Sequence, residues 1–424
     1  MTAAPVPVPP SAPETGLPWD VTVGDAVAAI HEARTTHGDT FAVHSGDDRY
    51  LFTFSPAGVE SFYALPEESA SKGLADFLML KRKLPDEIFD GRRTLPTSLF
   101  RKDDVASYLT NLAAALESTG TELGAEGTTD LFALTRRLGH RMGLASWAGP
   151  GCADGDAFER LVRDFDALDG SDAFVHPDAM AQVAATGKRV EREALDDIVD
   201  VVGASVAAHD GGLFGRIVDA WADESGDRRL RGIALDVALI HNASMSNLMA
   251  ALGWAVVDLL RHPDDRARVA AGDTDWAQKC ALESIRLAQR SIMARTVLRP
   301  VDLDTGDVTY RVPAGWTIAT LLPLLNTSAT PGLEHWEPDR WSGYRLKDRD
   351  QLPSPMLVTA FGHGKHSCPA QPFSLTAMTT AMAYLLSRYD MTPGWDAHPQ
   401  PVPAQIGGVA RAAGPCPIRY CAAP

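Results

Sequence analysis

Cysteine is scarce in this 424-residue chain: five residues, an odd number scattered from Cys152 to Cys421. That excludes a disulfide framework and fits a reducing compartment. Long apolar runs are missing as well. The longest, Leu248–Leu260, spans 13 residues and contains Asp258, short of the ~20 needed to cross a bilayer. The N-terminus, MTAAPVPVPPSAPETGLPWD, has neither the positive region nor the apolar region of a secretory signal. Basic charge is in deficit, 39 Lys and Arg against 55 Asp and Glu for a net charge of −16, so a nucleic-acid backbone is repelled. No CxxC, HExxH or GxGxxG pattern occurs, which removes the common zinc and dinucleotide signatures. The expectation is an acidic, soluble, cytoplasmic protein with neither nucleic acid nor membrane as partner.

What is present is helical periodicity. Six of the 29 prolines fall in the first 18 residues, so residues 1–18 read as an extended, loosely packed lead and 19–424 as one domain. Apolar spacing predicts helices from Asp103-Asp104 onward and over 188–209, 274–290 and 372–389. A helix of about thirty residues is expected from Arg229 to Arg261, where no proline intervenes before His262-Pro263. Hairpins are expected at 41–54 and at 308–320, where VTYRV and WTIAT flank Pro313-Ala314-Gly315. Residues 321–360 read as a long ordered loop. The fold class is mainly α with small β-sheets.

The sharpest local signal is Phe361-Gly362-His363-Gly364-Lys365-His366-Ser367-Cys368-Pro369, ahead of an apolar helical pattern. Alternating glycines permit a tightly bent backbone. Pro369 suits the first turn of a helix, which would place Cys368 at a helix N-terminus, where a thiolate is stabilised and can bind a soft metal. The local chemistry leaves two alternatives open: Cys368 as a small buried core residue beside an ordinary turn, and a zinc site of His363, His366 and Cys368, which lacks a fourth ligand at suitable spacing.

FGHGKHSC resembles the haem-binding loop of the cytochrome P450 superfamily, Phe-x-x-Gly-x-(His/Arg)-x-Cys. The resemblance implies haem b with Cys368 as the axial iron ligand, Phe361 packed by the thiolate, Gly364 turning the loop and His366 bonding a propionate. Two upstream motifs stand in the family's order. Glu283-Ser-Ile-Arg286 matches Glu-x-x-Arg, whose i, i+3 spacing puts both charges on one helix face. Trp336-Glu337-Pro338-Asp339-Arg340-Trp341 supplies the third member, Arg340. Arg295 would be a second propionate ligand, with Arg299 as the fallback. The similarity spans nearly the whole chain in length and helix order and is strong from about residue 229. It implies a single-domain cytochrome P450 fold, soluble and bacterial in type.

The long helix departs from the pattern. Family members carry an Asp/Glu-Thr pair there that handles protons during oxygen activation; counting back from Pro263, this chain has Ser246-Asn247. Neither residue supplies a carboxylate, and the Asn amide does not titrate. His241 and Asn242, more than one turn earlier, face either substrate or satisfied core. Ala243 and Ser244 would border the groove above haem, Leu298 would line the pocket, and Met245 and Leu248 are packing.

Three functions follow. The resemblance favours O2- and electron-dependent oxidation of a hydrophobic small molecule, in secondary metabolism. The altered pair suggests instead an enzyme that needs no redox partner and cleaves a weak O–O or N–O bond in its own substrate by rearrangement, dehydration or nitrene-type transfer. A haem protein that only senses gas or carries electrons is disfavoured by the long helix and the room for a pocket. The first requires outside electrons. A ferredoxin and its reductase are the expected donors, docking near Lys365 with Arg92, Arg93, Arg101 and Lys102.

Overall fold

With no proline to break it, the stretch Gly226–Arg261 forms a single helix of 36 residues in the computed structural model, which describes residues 7–94, 101–209 and 211–423. At 1.5 Å per residue it is about 54 Å long, and His262-Pro263 ends it. This helix (α10) organises the fold. The helices preceding it are α1 (Ala26–His37), α2 (Pro56–Ala64), α3 (Lys72–Lys81), α4 (Val105–Leu123), α5 (Leu131–Trp147), α6 (Gly155–Asp169), α7 (Pro177–Ala185), α8 (Arg189–Ser205) and α9 (Gly212–Ala220). After it come α11 (Pro263–Ala270), α12 (Thr274–Ala288), α13 (Leu322–Ser328) and α14 (Gln371–Arg388). The main contacts of α10 are with α5, α8 and α12.

By length and composition α10 would also serve as a membrane span, but its apolar residues are covered by protein. From Gly232 to Leu259 every residue is buried or half-buried except Ala243 and Asn247. Burial of each large apolar side chain there contributes roughly 1.5–3 kcal/mol. Close approach to α5 depends on small residues: a Cβ on Gly143 would lie 3.0 Å from the His241 ring.

The main sheet has the order β1 (Thr40–Ser45), β2 (Asp48–Thr53), β8 (Thr317–Leu321), β5 (Ile292–Val297) and β3 (Ala70–Ser71). The first hairpin forms as expected, Phe41 opposite Phe52. The second does not. β7 (Thr309–Val312) pairs with β6 (Val301–Asp304), while β8 joins β5 antiparallel and β2 parallel. The segment 321–360 also holds more structure than its composition suggests, namely α13 and the paired strands β9 (Trp341–Ser342) and β10 (Arg345–Leu346).

The proline-rich lead is not loose. Its first six residues lie outside the described residues, but Ala12 and Leu17 are fully buried against β1, with Ala12 N–H on Ala42 O at 2.8 Å and Leu17 N–H on Ser45 Oγ at 2.9 Å. Proline keeps the lead extended, and an extended chain fits a sheet edge.

Candidate functional site

The cysteine loop is set by its own backbone. Gly362 has φ of +81°, and a Cβ on it would lie 2.5 Å from His366 O, so no other residue fits without moving the turn. Gly364 has φ of +54° and opens a 3-10 turn over Gly364–His366. The turn brings Cys368 N–H onto Phe361 O at 2.7 Å. Helix α14 starts at Gln371, within a residue of the expected 372, with Pro372 rather than Pro369 in its first turn. Burial pushes the pKa of the Cys368 thiol up; the backbone N–H groups of Ala370 and Gln371 and the Lys72 charge pull the other way without overcoming it. Those donors and that cation would favour the thiolate once a metal takes the proton's place on the sulfur.

Arg295 and His366 come together as expected. Arg295, 1 % exposed on β5, donates from Nη1 to His366 Nε2 at 2.8 Å and from Nε to Ala70 O at 2.8 Å. Because Nε2 accepts, the His366 proton is on Nδ1, which is buried without a partner. Burial and then the Arg295 charge push the His366 pKa down to about 4. A guanidinium beside an unanswered imidazole N–H is a site for a carboxylate. Arg299, the fallback, is exposed and bonds Ser69. Leu298 does not line the site: it is 46 % exposed beyond the end of β5.

Glu283 and Arg286 are completely buried and paired at 2.7 Å, and Arg340 Nε and Trp341 Nε1 donate to the same carboxylate at 3.0 and 2.9 Å. Arg286 carries this order toward the loop. Its backbone carbonyl accepts from Asn326 Nδ2, and the Asn326 amide bonds both N–H and C=O of Thr359, two residues before Phe361.

On α10 the expected pair separates. Asn247 and Ala243, one turn apart, are the accessible residues in the middle of α10; Asn247 Oδ1 accepts Val409 N–H at 2.8 Å, which leaves its NH2 as the end turned away from that contact. Ser246 turns aside to a small void shared with Asn242, Arg136 and Asp169. Asn242 Oδ1 is buried there without a partner. Ser244 spends its hydroxyl on Ile240 O.

His241 borders the same small void as Ser246 and Asn242, and its ring is held in a buried hydrogen-bond chain. It accepts from Trp147 Nε1 at 3.1 Å and meets His140 at 2.9 Å, and His140 meets Asp166 at 3.0 Å. Burial holds both imidazoles below the ordinary 6.5. An unfolded histidine takes up a proton below that value and these do not, so they lower stability as pH falls through 6.5 and downward. His241→Phe is expected to cost about 1–3 kcal/mol at pH 7.5 by stranding the Trp147 and His140 groups. It is also expected to make the loss of melting temperature between pH 7.5 and 5.5 shallower than in the wild type. An equally steep loss would contradict that role. His140, Asp166 and the Val409 contact of Asn247 had no signal in the sequence, because each depends on distant segments meeting.

No family model matches the chain. It is 22 % identical over 430 residues to human 24-hydroxycholesterol 7-alpha-hydroxylase, covering 92 % of this chain and 88 % of that one. It is 31 % identical over 175 residues to cytochrome P450 monooxygenase pyvB of Aspergillus violaceofuscus, covering 37 % and 34 %. Its fold superposes on retinoic acid-bound cyanobacterial CYP120A1 with a TM-score of 0.75 at 15 % identity, covering 99 % of this chain and all of that one. These findings support the cytochrome P450 superfamily. The chain is a P450-class enzyme whose cofactor is haem-thiolate iron. The residues fit that group: a P450 haem needs a thiolate and carboxylate partners, and this chain offers Cys368 with its backbone donors and the Arg295–His366 pair. The same P450 framework explains why Glu283, Arg286 and Arg340 are sealed from solvent beside the loop.

Proposed function

We propose that this enzyme oxidises a hydrophobic small molecule in secondary metabolism, using O2 and external electrons at a haem held by Cys368. The observation that carries the reading is the half-buried Cys368 sulfur, with backbone donors behind it, in the same loop as the unanswered His366 N–H. Bound haem supplies the redox chemistry, and thiolate ligation raises electron density on its iron. Arg295 and His366 Nδ1–H hold a propionate, and Phe361 packs beside the sulfur. The names of the relatives, a sterol hydroxylase and a monooxygenase, support oxidation of an apolar substrate.

Asn247 is the residue that orients the reacting end of the substrate. Its carbonyl is fixed by Val409, and its NH2 donates on the accessible side beside Ala243. It does not titrate, so protons come through water or a substrate group. Asn247→Ala is expected to lower kcat about 10²-fold, in the range for one lost donor, with haem content unchanged and KM altered far less. Equal kcat values would contradict the role.

Electrons are expected from a ferredoxin and its reductase. Behind the loop lies a groove of about 520 Å³ lined by Arg345, Arg349 and Phe361, with Lys365 exposed nearby. Arg93 is already paired with Asp223 and Glu224.

One observation favours the second reading, cleavage of a weak O–O or N–O bond in the substrate: the accessible middle of α10 presents no titratable group. Product masses from candidate substrates, with and without O2 and with and without a reductase system, decide between the two. A product heavier by one oxygen only when both are present supports oxidation. A product isobaric with substrate, or short of a leaving group, formed without either overturns it.

A further inference from the structure

A second cavity, of about 610 Å³, lies between the C-terminal half of α10, the end of α12 and the segment 398–410. Trp254, on its wall, is seven residues beyond Asn247, about 10 Å along the helix axis. The wall includes Arg290, which is 8 % exposed. Its side chain donates from Nη2 to Val402 O at 3.2 Å, and Nε has no partner among the described residues. Among the described residues no carboxylate is within ion-pair distance of it. Asp25 acts on its charge only from further away, and burial pulls its pKa down.

A guanidinium this buried without a counter-charge is unfavourable unless something supplies one. The acids of the cavity do not. Asp258 is taken by Ser284 Oγ at 2.6 Å and His398 Nε2 at 3.2 Å, and Glu334 pairs with His335. The remaining wall is flat and aromatic. Trp254 stacks on His398 with ring centroids 5.7 Å apart and planes 9° apart, and Trp336 stacks on His262 at 4.3 Å.

We propose that this cavity binds a small aromatic carboxylate, its charge on Arg290 and its ring against the Trp254 and Trp336 stacks. A guanidinium fork matches a carboxylate in plane and charge, and the stacked walls accept a flat apolar body. The site is distinct from the cysteine loop and independent of the reaction carried out there.

The test uses the full-length holoenzyme and two probes, benzoate and the neutral isostere benzamide, titrated calorimetrically at constant ionic strength. Benzoate is expected to saturate at one site and benzamide to bind at least tenfold more weakly. Arg290→Gln should weaken benzoate at least tenfold, and Arg290→Lys should lose less. Hydrogen exchange on the wild type reports even if the variants do not fold: benzoate should protect residues 288–290, 334–336 and 398–403. Equal affinity for the two probes, no saturable benzoate binding, unchanged binding in a folded Arg290→Gln, or protection confined to 243–247 and 361–368 would overturn the proposal.

Discussion

Glu283→Ala is expected to cost about 3–5 kcal/mol of stability, the range for removing one member of a buried ion pair, and to lose haem with it. The carboxylate it removes accepts from Arg286, Arg340 Nε, Trp341 Nε1 and the backbone N–H of Glu337. Arg286, itself without solvent, would keep its charge and lose its counter-charge. The damage would not stay local. Arg286 Nη1 also donates to Asn326 O at 2.5 Å and Leu333 O at 2.7 Å, and Asn326 in turn fixes Thr359 ahead of the cysteine loop. Thermal unfolding and haem content of the purified variant measure both effects. A melting temperature within ~1 °C of wild type, which corresponds to about 1 kcal/mol in a chain this size, together with full haem content would contradict the role.

Cys368→Ser should separate folding from chemistry. A hydroxyl oxygen still accepts the Ala370 and Gln371 N–H groups, and Gly362, Gly364 and the Phe361 O contact are untouched. The variant is therefore expected to fold with a melting temperature near that of the wild type. Turnover should fall by about a thousandfold or more, equivalent to about 4 kcal/mol in barrier, and the reduced carbon monoxide spectrum should lose its thiolate character. Wild-type turnover in the serine variant would contradict assignment of the sulfur.

How much of this was legible from sequence depends on whether the information is local. The cysteine loop was, because glycine spacing dictates its turn, and so was Glu283 with Arg286, because i, i+3 fixes a helix face. Arg295 was placed by resemblance, and the alternation of β5 agrees: Met293, Arg295 and Val297 alternate inward. The same alternation explains the misplaced Leu298, three residues from Arg295 and so on the opposite parity. The pair Ser246-Asn247 was treated as one unit, yet adjacent helix residues point about 100° apart, so only Asn247 is exposed. His241 was ambiguous because its partners, His140 and Trp147, are about a hundred residues away. The second hairpin failed for a related reason: VTYRV finds a better partner in Val301–Asp304 than in the strand that follows it.

The central claim is that Cys368 sulfur holds the haem iron. X-ray absorption at the iron edge of the purified holoenzyme tests it most directly, with Cys368→Ser as the control. The expected result is one sulfur neighbour in the first shell of the wild type, replaced by oxygen or nitrogen in the variant. A wild-type shell containing only nitrogen and oxygen, or a sulfur signal that survives in the variant, would contradict it.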